Sequence, residues 1–190
     1  MKLLAIGGSP RRDGNSNSLM RLAVEGAVAC GATADVLYAR DLDVKGCLAC
    51  DGCKRTPEST CVQDDDMHRV YELVKGCDAL LLASPVYFYS LSSWIKQVLD
   101  RCYALITPDA PEGQPAPAPR VTPGKGHYLI TAQAEDAPFF GYQILSTVVY
   151  GLTWIGMESR GQLIATGLDG PHDWEQRDDL IAAARELVRV

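Results

Sequence analysis

Short, almost wholly apolar runs alternate with amphipathic stretches along this chain, and that alternation restricts the fold more than any other feature. Lys2 to Gly7, Ala34 to Tyr38, Asp78 to Tyr87, His127 to Thr131 and Gln162 to Thr166 read as strands. Such continuous apolarity suits strands buried on both faces of a parallel sheet. Between them, Ser18 to Cys30 places Leu19, Leu22, Ala23 and Ala27 on one helical face, and Gly31 closes that helix. Met67 to Lys75 repeats the spacing with Met67, Val70, Tyr71 and Val74, preceded by Asp64, Asp65 and Asp66 as candidate caps. Ser92 or Ser93 can open a third helix carrying Ile95, Val98, Leu99 and Cys102. Phe139 to Ile155 and Trp174 to Val188 complete the set.

Strands that alternate with helices form a parallel sheet covered on both sides. The expected architecture is α/β, a three-layer flavodoxin-like doubly wound sheet of five parallel strands in order 2-1-3-4-5. The 190 residues, 47% hydrophobic and 22% charged, fit one domain over 1–190. Two loops stand out in it: a cysteine-rich one at 46–62 and a proline-rich one at 107–126. The latter holds Pro108, Pro111, Pro115, Pro117, Pro119 and Pro123 and reads as an extended surface loop. The net charge of -6, with scattered basic residues, argues against a nucleic-acid partner. No signal peptide, lipidation signal or long apolar run is visible, so a cytoplasmic protein without a membrane partner is expected.

In this topology ligands bind beyond the carboxyl ends of the strands, where the strand order reverses. The loops that meet there are Ser9 to Ser18 and Ser84 to Ser90. The first joins a strand directly to a helix, whose N-terminus offers free N–H groups and partial positive charge. Hydroxyls at Ser9, Ser16 and Ser18 and the charge of Arg11 or Arg12 suit a phosphate monoester. The triphosphate pattern Gly-x-x-x-x-Gly-Lys-Ser/Thr and the dinucleotide pattern Gly-x-Gly-x-x-Gly are both missing. A plain capped strand-to-helix connection is the competing reading. In the second loop Tyr87, Phe88 and Tyr89 follow one another at a strand end. Backbone amides there can meet the polar edge of a flavin while an aromatic packs on its rings; filling core or a dimer interface is the alternative. Taken together across one crevice, the loops favour FMN. A phosphoacceptor module of the same architecture needs acidic residues where this chain has Gly7-Gly8-Ser9.

Gly8-Ser9-Pro10-Arg11 through Gly14-Asn15-Ser16 resembles the FMN phosphate loop of the NADPH-dependent FMN reductase family. Ser84-Pro85-Val86-Tyr87-Phe88 resembles its isoalloxazine loop, and Leu99-Asp100-Arg101 the end of its next helix. The resemblance runs from about residue 2 to 103. It implies bound FMN and a homodimer or homotetramer. It carries Ser9, Arg11, Asn15, Ser16 and Ser18 to the phosphate, and Pro85, Val86, Tyr87, Phe88, Tyr89 and Ser90 to the ring. Topology adds Thr131, Ala132 and Gln133 as a third contact. The chain departs from the pattern at Tyr89, where many relatives have Gly.

Cys47, Cys50, Cys53 and Cys61 form a short-range thiol cluster. Four such thiolates can ligate a [4Fe–4S] centre. Zinc, or thiols without metal, are the other readings. Together with Asp65-Asp66-Met67, these cysteines resemble the iron–sulfur flavoprotein branch of the family. Cys30, Cys77 and Cys102 read as small buried hydrophobes. His68, His127 and His172 read as surface or capping residues. The expected activity is FMN-dependent transfer of electrons from NAD(P)H to an acceptor, with no side chain required as a catalytic group. The alternative is an electron carrier with FMN and [4Fe–4S], reduced by ferredoxin.

Overall fold

The computed structural model describes residues 1–56, 58–108 and 117–189. Five strands build its sheet: β1 (Lys2–Gly7), β2 (Thr33–Tyr38), β3 (Ala79–Tyr87), β4 (Lys125–Ala132) and β5 (Met157–Ala165). They run parallel in the expected order β2-β1-β3-β4-β5. The helices are α1 (Asn15–Ala29), α2 (Met67–Gly76), α3 (Ser93–Arg101), α4 (Phe139–Trp154) and α5 (Asp178–Leu187). Among the described residues no helix is long and apolar enough to cross a membrane.

Strand alternation divides the core in two. Leu4, Ile6, Leu80, Leu82 and Leu129 face α2, α3 and α4, while Leu3, Ala5, Leu81, Tyr128 and Ile130 face α1 and α5. Each buried leucine or isoleucine contributes about 1.5–3 kcal/mol by leaving water, so both faces must be covered. The interior strand β1 is buried from Leu3 to Gly7.

Several boundaries differ from the sequence reading. α1 begins at Asn15 rather than Ser18, because the loop before it is held by tertiary hydrogen bonds and not by a serine cap. β5 begins at Met157, its exposed polar residues being tolerated on an edge strand. Its pairing with β4 shifts register between His127 and Tyr128. The last predicted helix divides into a 3-10 turn at Asp173–Gln176 and α5. In the proline-rich segment, Pro111 and Pro115 lie outside the described residues. Ile106–Thr107 pairs antiparallel with Ala118–Pro119, and Ala118 and Val121 are buried. That part of the segment is therefore core, not surface. Cys77 and Cys102 are buried, but Cys30 is exposed, because it sits just past the last turn of α1.

His127 differs most from its expected surface position. It lies on β4 opposite Leu80 with no solvent exposure, and neither ring nitrogen has a partner. Burial pushes its pKa down to about 4, so the native imidazole is neutral. The unfolded chain takes up a proton near the ordinary value of 6.5, which the native chain refuses until about pH 4. Stability is therefore full above pH 6.5, falls through that window and levels off below it, a loss of about 3 kcal/mol. Urea unfolding between pH 7 and 4 should show this slope in the native chain. His127→Leu should flatten most of it; an unchanged slope would refute the assignment.

Candidate functional site

The carboxyl ends of β1 and β3 are locked together before any ligand is considered. The Gly8 N–H donates to the Ala83 carbonyl at 2.7 Å. The Ser92 hydroxyl donates to the Gly8 carbonyl at 2.6 Å, and the Ser92 N–H donates to Ser84 Oγ at 3.0 Å. Ser92 also caps α3 by accepting from the Ile95 N–H. A Cβ at Gly8 would overlap the Ile95 side chain, and one at Gly7 would overlap the Asn17 amide. These glycines serve close approach of α3 and of Asn17 to the end of β1.

Asn17 organises the first loop. Fully buried, it accepts from the Ser9 N–H at 3.3 Å and donates to the Arg11 carbonyl at 2.9 Å. Arg40 donates to the Pro10 carbonyl and Arg21 to the Arg12 carbonyl, holding the loop from outside. Ser9 Oγ accepts from the Arg11 N–H at 3.1 Å. The cap of α1 is Gly14, which brings no side-chain acceptor, so the first-turn N–H groups stay open. Beside them Ser16 Oγ is buried with no partner. An orphaned hydroxyl at a helix N-terminus without acidic first-turn residues is a built anion site.

Ser16 lines a pocket of about 150 Å³. Ser9, Arg11, Asn15 and Ser16 line one side, Pro85, Val86 and Tyr87 another, and Ala132 and Gln133 a third. Three separately predicted segments thus converge. The volume suits a phosphate and the start of a polyol chain rather than a whole ring system.

Other predicted residues do different work. Ser18 donates to the Asp13 carbonyl and accepts from Arg21, leaving it nothing for a ligand. The Asn15 side chain donates to the Gly170 carbonyl at 2.8 Å, pinning the β5–α5 loop. Gln133 spends its side chain on the Glu135 and Ala137 carbonyls and the Gly141 N–H. Thr131 is buried beneath Gly141 of α4. Arg12 pairs with Asp41 at 2.6 Å and lies over the Tyr38 ring, which leaves Arg11 as the cation at the pocket. The sequence reading missed Asn17, and also Ala134, Leu168, Asp169 and Pro171, which complete the lining. Asn17 carries no local signal; the β5–α5 loop could have been suspected because every strand exit meets this edge.

Phe88, Tyr89 and Ser90 lie outside this pocket lining. Tyr87 pairs with Ser90 across an antiparallel turn whose central residues, Phe88 and Tyr89, have φ of 46° and 64°. Both are left-handed, as a type I′ hairpin turn requires, at about 1–2 kcal/mol for each bulky residue. Glycine takes that conformation without strain. Tyr89 stacks on Phe140 at the start of α4, ring centroids 4.4 Å apart, and Phe88 is almost fully exposed.

The sequence profile of the NADPH-dependent FMN reductase family matches residues 1–152. The chain belongs to that family. An iron–sulfur flavoprotein of Archaeoglobus fulgidus is 34% identical over 101 residues, 53% of this chain and 48% of that one. The chain spans about half the length of the curated iron–sulfur flavoproteins it matches. The Bacillus subtilis protein named putative NAD(P)H-dependent FMN-containing oxidoreductase YwqN is 22% identical over 100% of this chain and 97% of its own. The solved NAD(P)H:quinone oxidoreductase of Methanothermobacter marburgensis shares the fold, with TM-score 0.73, 16% identity and coverage of 97% and 94%. For a member of an FMN reductase family, Ser16, Arg11 and the open N-terminus of α1 fit the phosphate of FMN.

The cysteine loop is closed at its base by a buried ion pair. Arg101 binds both Asp65 oxygens, at 2.6 and 3.0 Å, and donates to the Lys45 carbonyl at 2.8 Å. Both side chains are essentially without solvent exposure. Burial alone would raise the Asp65 carboxyl, but Arg101 and the Lys45 and Met67 N–H groups outweigh it and hold its pKa below the ordinary carboxylate range. Asp65 thus does more than cap α2, and removing either partner would strand a buried charge at about 3–5 kcal/mol. Lys54 donates to the Tyr103 and Ile106 carbonyls; Arg120 donates to those of Cys53, Thr56, Ser59 and Ala104. Cys47 and Cys50 are exposed, Cys53 and Cys61 half-buried, and Ala49 and Asp51 are left-handed on either side of Cys50. Among the described residues no three Cys, His, Asp or Glu side chains converge as a metal site. The thiols so placed do not fit a [4Fe–4S] cage. His68 meets the Gln63 carbonyl and His172 is exposed beside Glu175.

Ser16→Ala should weaken FMN binding about tenfold or more, the value of a hydrogen bond to a charged group. Ser18→Ala should leave affinity within about twofold, since its hydroxyl is already committed. Equal effects in a fluorescence-quenching titration would contradict the assignment.

Proposed function

We propose that this chain is an FMN-dependent oxidoreductase passing electrons from NAD(P)H to an acceptor. The observation that carries the reading is the partnerless, buried Ser16 hydroxyl at the open N-terminus of α1, on a pocket that residues at the β3 and β4 exits also line. FMN, when bound, supplies the redox chemistry. The protein's part is binding and orientation. Ser16, the first-turn N–H groups and Arg11 hold the phosphate. Asp169 offers a carboxylate to polyol hydroxyls at the same pocket. The backbone of Pro85 to Tyr87, fixed by its hydrogen-bonded junction with β1, sets the position of the ring edge. Family membership and the names of the relatives support NAD(P)H as donor.

A second reading is an iron–sulfur flavoprotein electron carrier reduced by ferredoxin. The names of the iron–sulfur flavoprotein relatives favour it at the level of the family, while the placement of the four thiols does not. Anaerobic purification with iron and flavin analysis tests both readings. The expected result is a yellow protein with one FMN per chain, bleached rapidly by NADPH or NADH. A colourless protein that takes up no added FMN would refute the first reading. Stoichiometric iron with bleaching only by reduced ferredoxin would establish the second.

A homodimer is also proposed. α4 exposes Phe139, Tyr142, Tyr150 and Trp154, and an apolar groove of about 570 Å³ lies between α3, α4 and the cysteine loop. Exposed apolar surface of this kind on a soluble domain marks an interface, and a second copy is the occupant the family resemblance implies. Light scattering should give a dimer, and Tyr150→Glu a monomer that keeps FMN. A monomeric native chain would exclude the dimer.

A further inference from the structure

We infer that Phe140 is a positioning residue for the turn at the flavin edge, acting through the Tyr89 ring. The inference rests on the FMN reading. Phe88 and Tyr89 are consecutive bulky residues with positive φ, a conformation that aromatic side chains adopt only when surroundings impose it. Val86 pairs with Leu91 and Tyr87 with Ser90, a two-residue hairpin that calls for positive φ at its tip but supplies no contact to offset the strain. Phe88 is 96% exposed and its ring stands 6.0 Å from that of Tyr89, so it makes no contact with the body of the fold that would hold the tip. Tyr89 does make such a contact: its ring stacks on Phe140 at 4.4 Å with planes inclined by 38°. Phe140 is in turn braced edge-on by Phe139 at 5.5 Å.

Phe140 is anchored independently of the turn. It lies in the first turn of α4, next to Gly141, whose N–H is held by the Gln133 side chain. Gln133 also lines the phosphate pocket. One rigid unit therefore connects the exit of β4 to the tip of the β3 turn across the mouth of the crevice. Without the Phe140 ring, the left-handed tip loses its fixed support and relaxes toward negative φ. That rotates the peptide planes between Tyr87 and Ser90, which continue directly from the Pro85 to Tyr87 backbone lining the pocket. A glycine at position 89 needs no such support, because left-handed backbone costs it nothing.

The test uses the FMN-loaded chain and four variants: Phe140→Ala, Phe140→Tyr, Tyr89→Gly and the double variant Tyr89→Gly/Phe140→Ala. FMN dissociation constant, visible flavin spectrum and midpoint potential are measured for each. Phe140→Ala should weaken FMN about fivefold, the value of one aromatic pair, and shift both spectrum and potential. Phe140→Tyr keeps the stack and should match the native chain. The double variant should bind within about twofold of Tyr89→Gly alone, since glycine holds the turn unaided. The diagnostic result is rescue: the double variant binding better than Phe140→Ala alone. If Phe140→Ala matches the native chain, or the double variant binds as weakly as Phe140→Ala, the positioning role is wrong. If Phe140→Ala does not fold, Phe140→Leu, which keeps apolar bulk and lacks a ring, takes its place under the same criteria. A native chain that binds no FMN overturns the cofactor reading instead, so the two failures are distinct.

Discussion

The close packing at Gly7 and Gly8 is the constraint on which the rest of the site depends. The end of β1 must admit the Asn17 amide on one side and Ile95 on the other, and any side chain there would exclude one of them. With both in place, Ser92 reaches the Gly8 carbonyl and Gly8 reaches Ala83, so the exits of β1 and β3 become one hydrogen-bonded junction. The loop between β1 and α1 and the turn after β3 inherit their relative position from it. A parallel sheet leaves these backbone groups unpaired at its carboxyl edge, and here they are satisfied by neighbouring loops before a ligand arrives.

The cations around the cysteine loop solve a related problem. A long segment without regular structure has many backbone carbonyls to satisfy. Arg101 and Arg120 donate to four carbonyls of the loop and its base, those of Lys45, Cys53, Thr56 and Ser59, while Arg120 also reaches the Ala104 carbonyl and Lys54 ties the loop to the carbonyls of Tyr103 and Ile106. Only Arg101 is paired with a buried carboxylate, at the point where the two ends of the loop meet. The loop is thus fixed at its base and along its inner edge, while Cys47 and Cys50 remain at the surface.

The apolar alternation alone sufficed for the strands, the sheet order and the three layers, because burial on both faces permits few other arrangements. It also located the crevice at the switch point, and the pocket there gathers Ser9, Arg11, Asn15, Ser16, Pro85, Val86, Tyr87, Ala132 and Gln133 from three separate segments. Residue type did not reveal which of several hydroxyls and amides would be free. Ser16 and Ser18 look equivalent in sequence, yet one is partnerless and the other is consumed by Asp13 and Arg21. Asn17 looks like any polar helix residue and is the hub of the loop.

What the sequence by itself determined is therefore the α/β framework, its switch point and the strand-to-helix loop that meets the crevice there, since these follow from local periodicity and the rules of parallel sheets. Only the tertiary structure decided that His127 is buried and neutral, that Asp65 meets Arg101, and that Tyr89 is held left-handed against Phe140. Each of these is a contact between residues distant in the chain, where burial, charge pairing or stacking outweighs the preference of the residue itself.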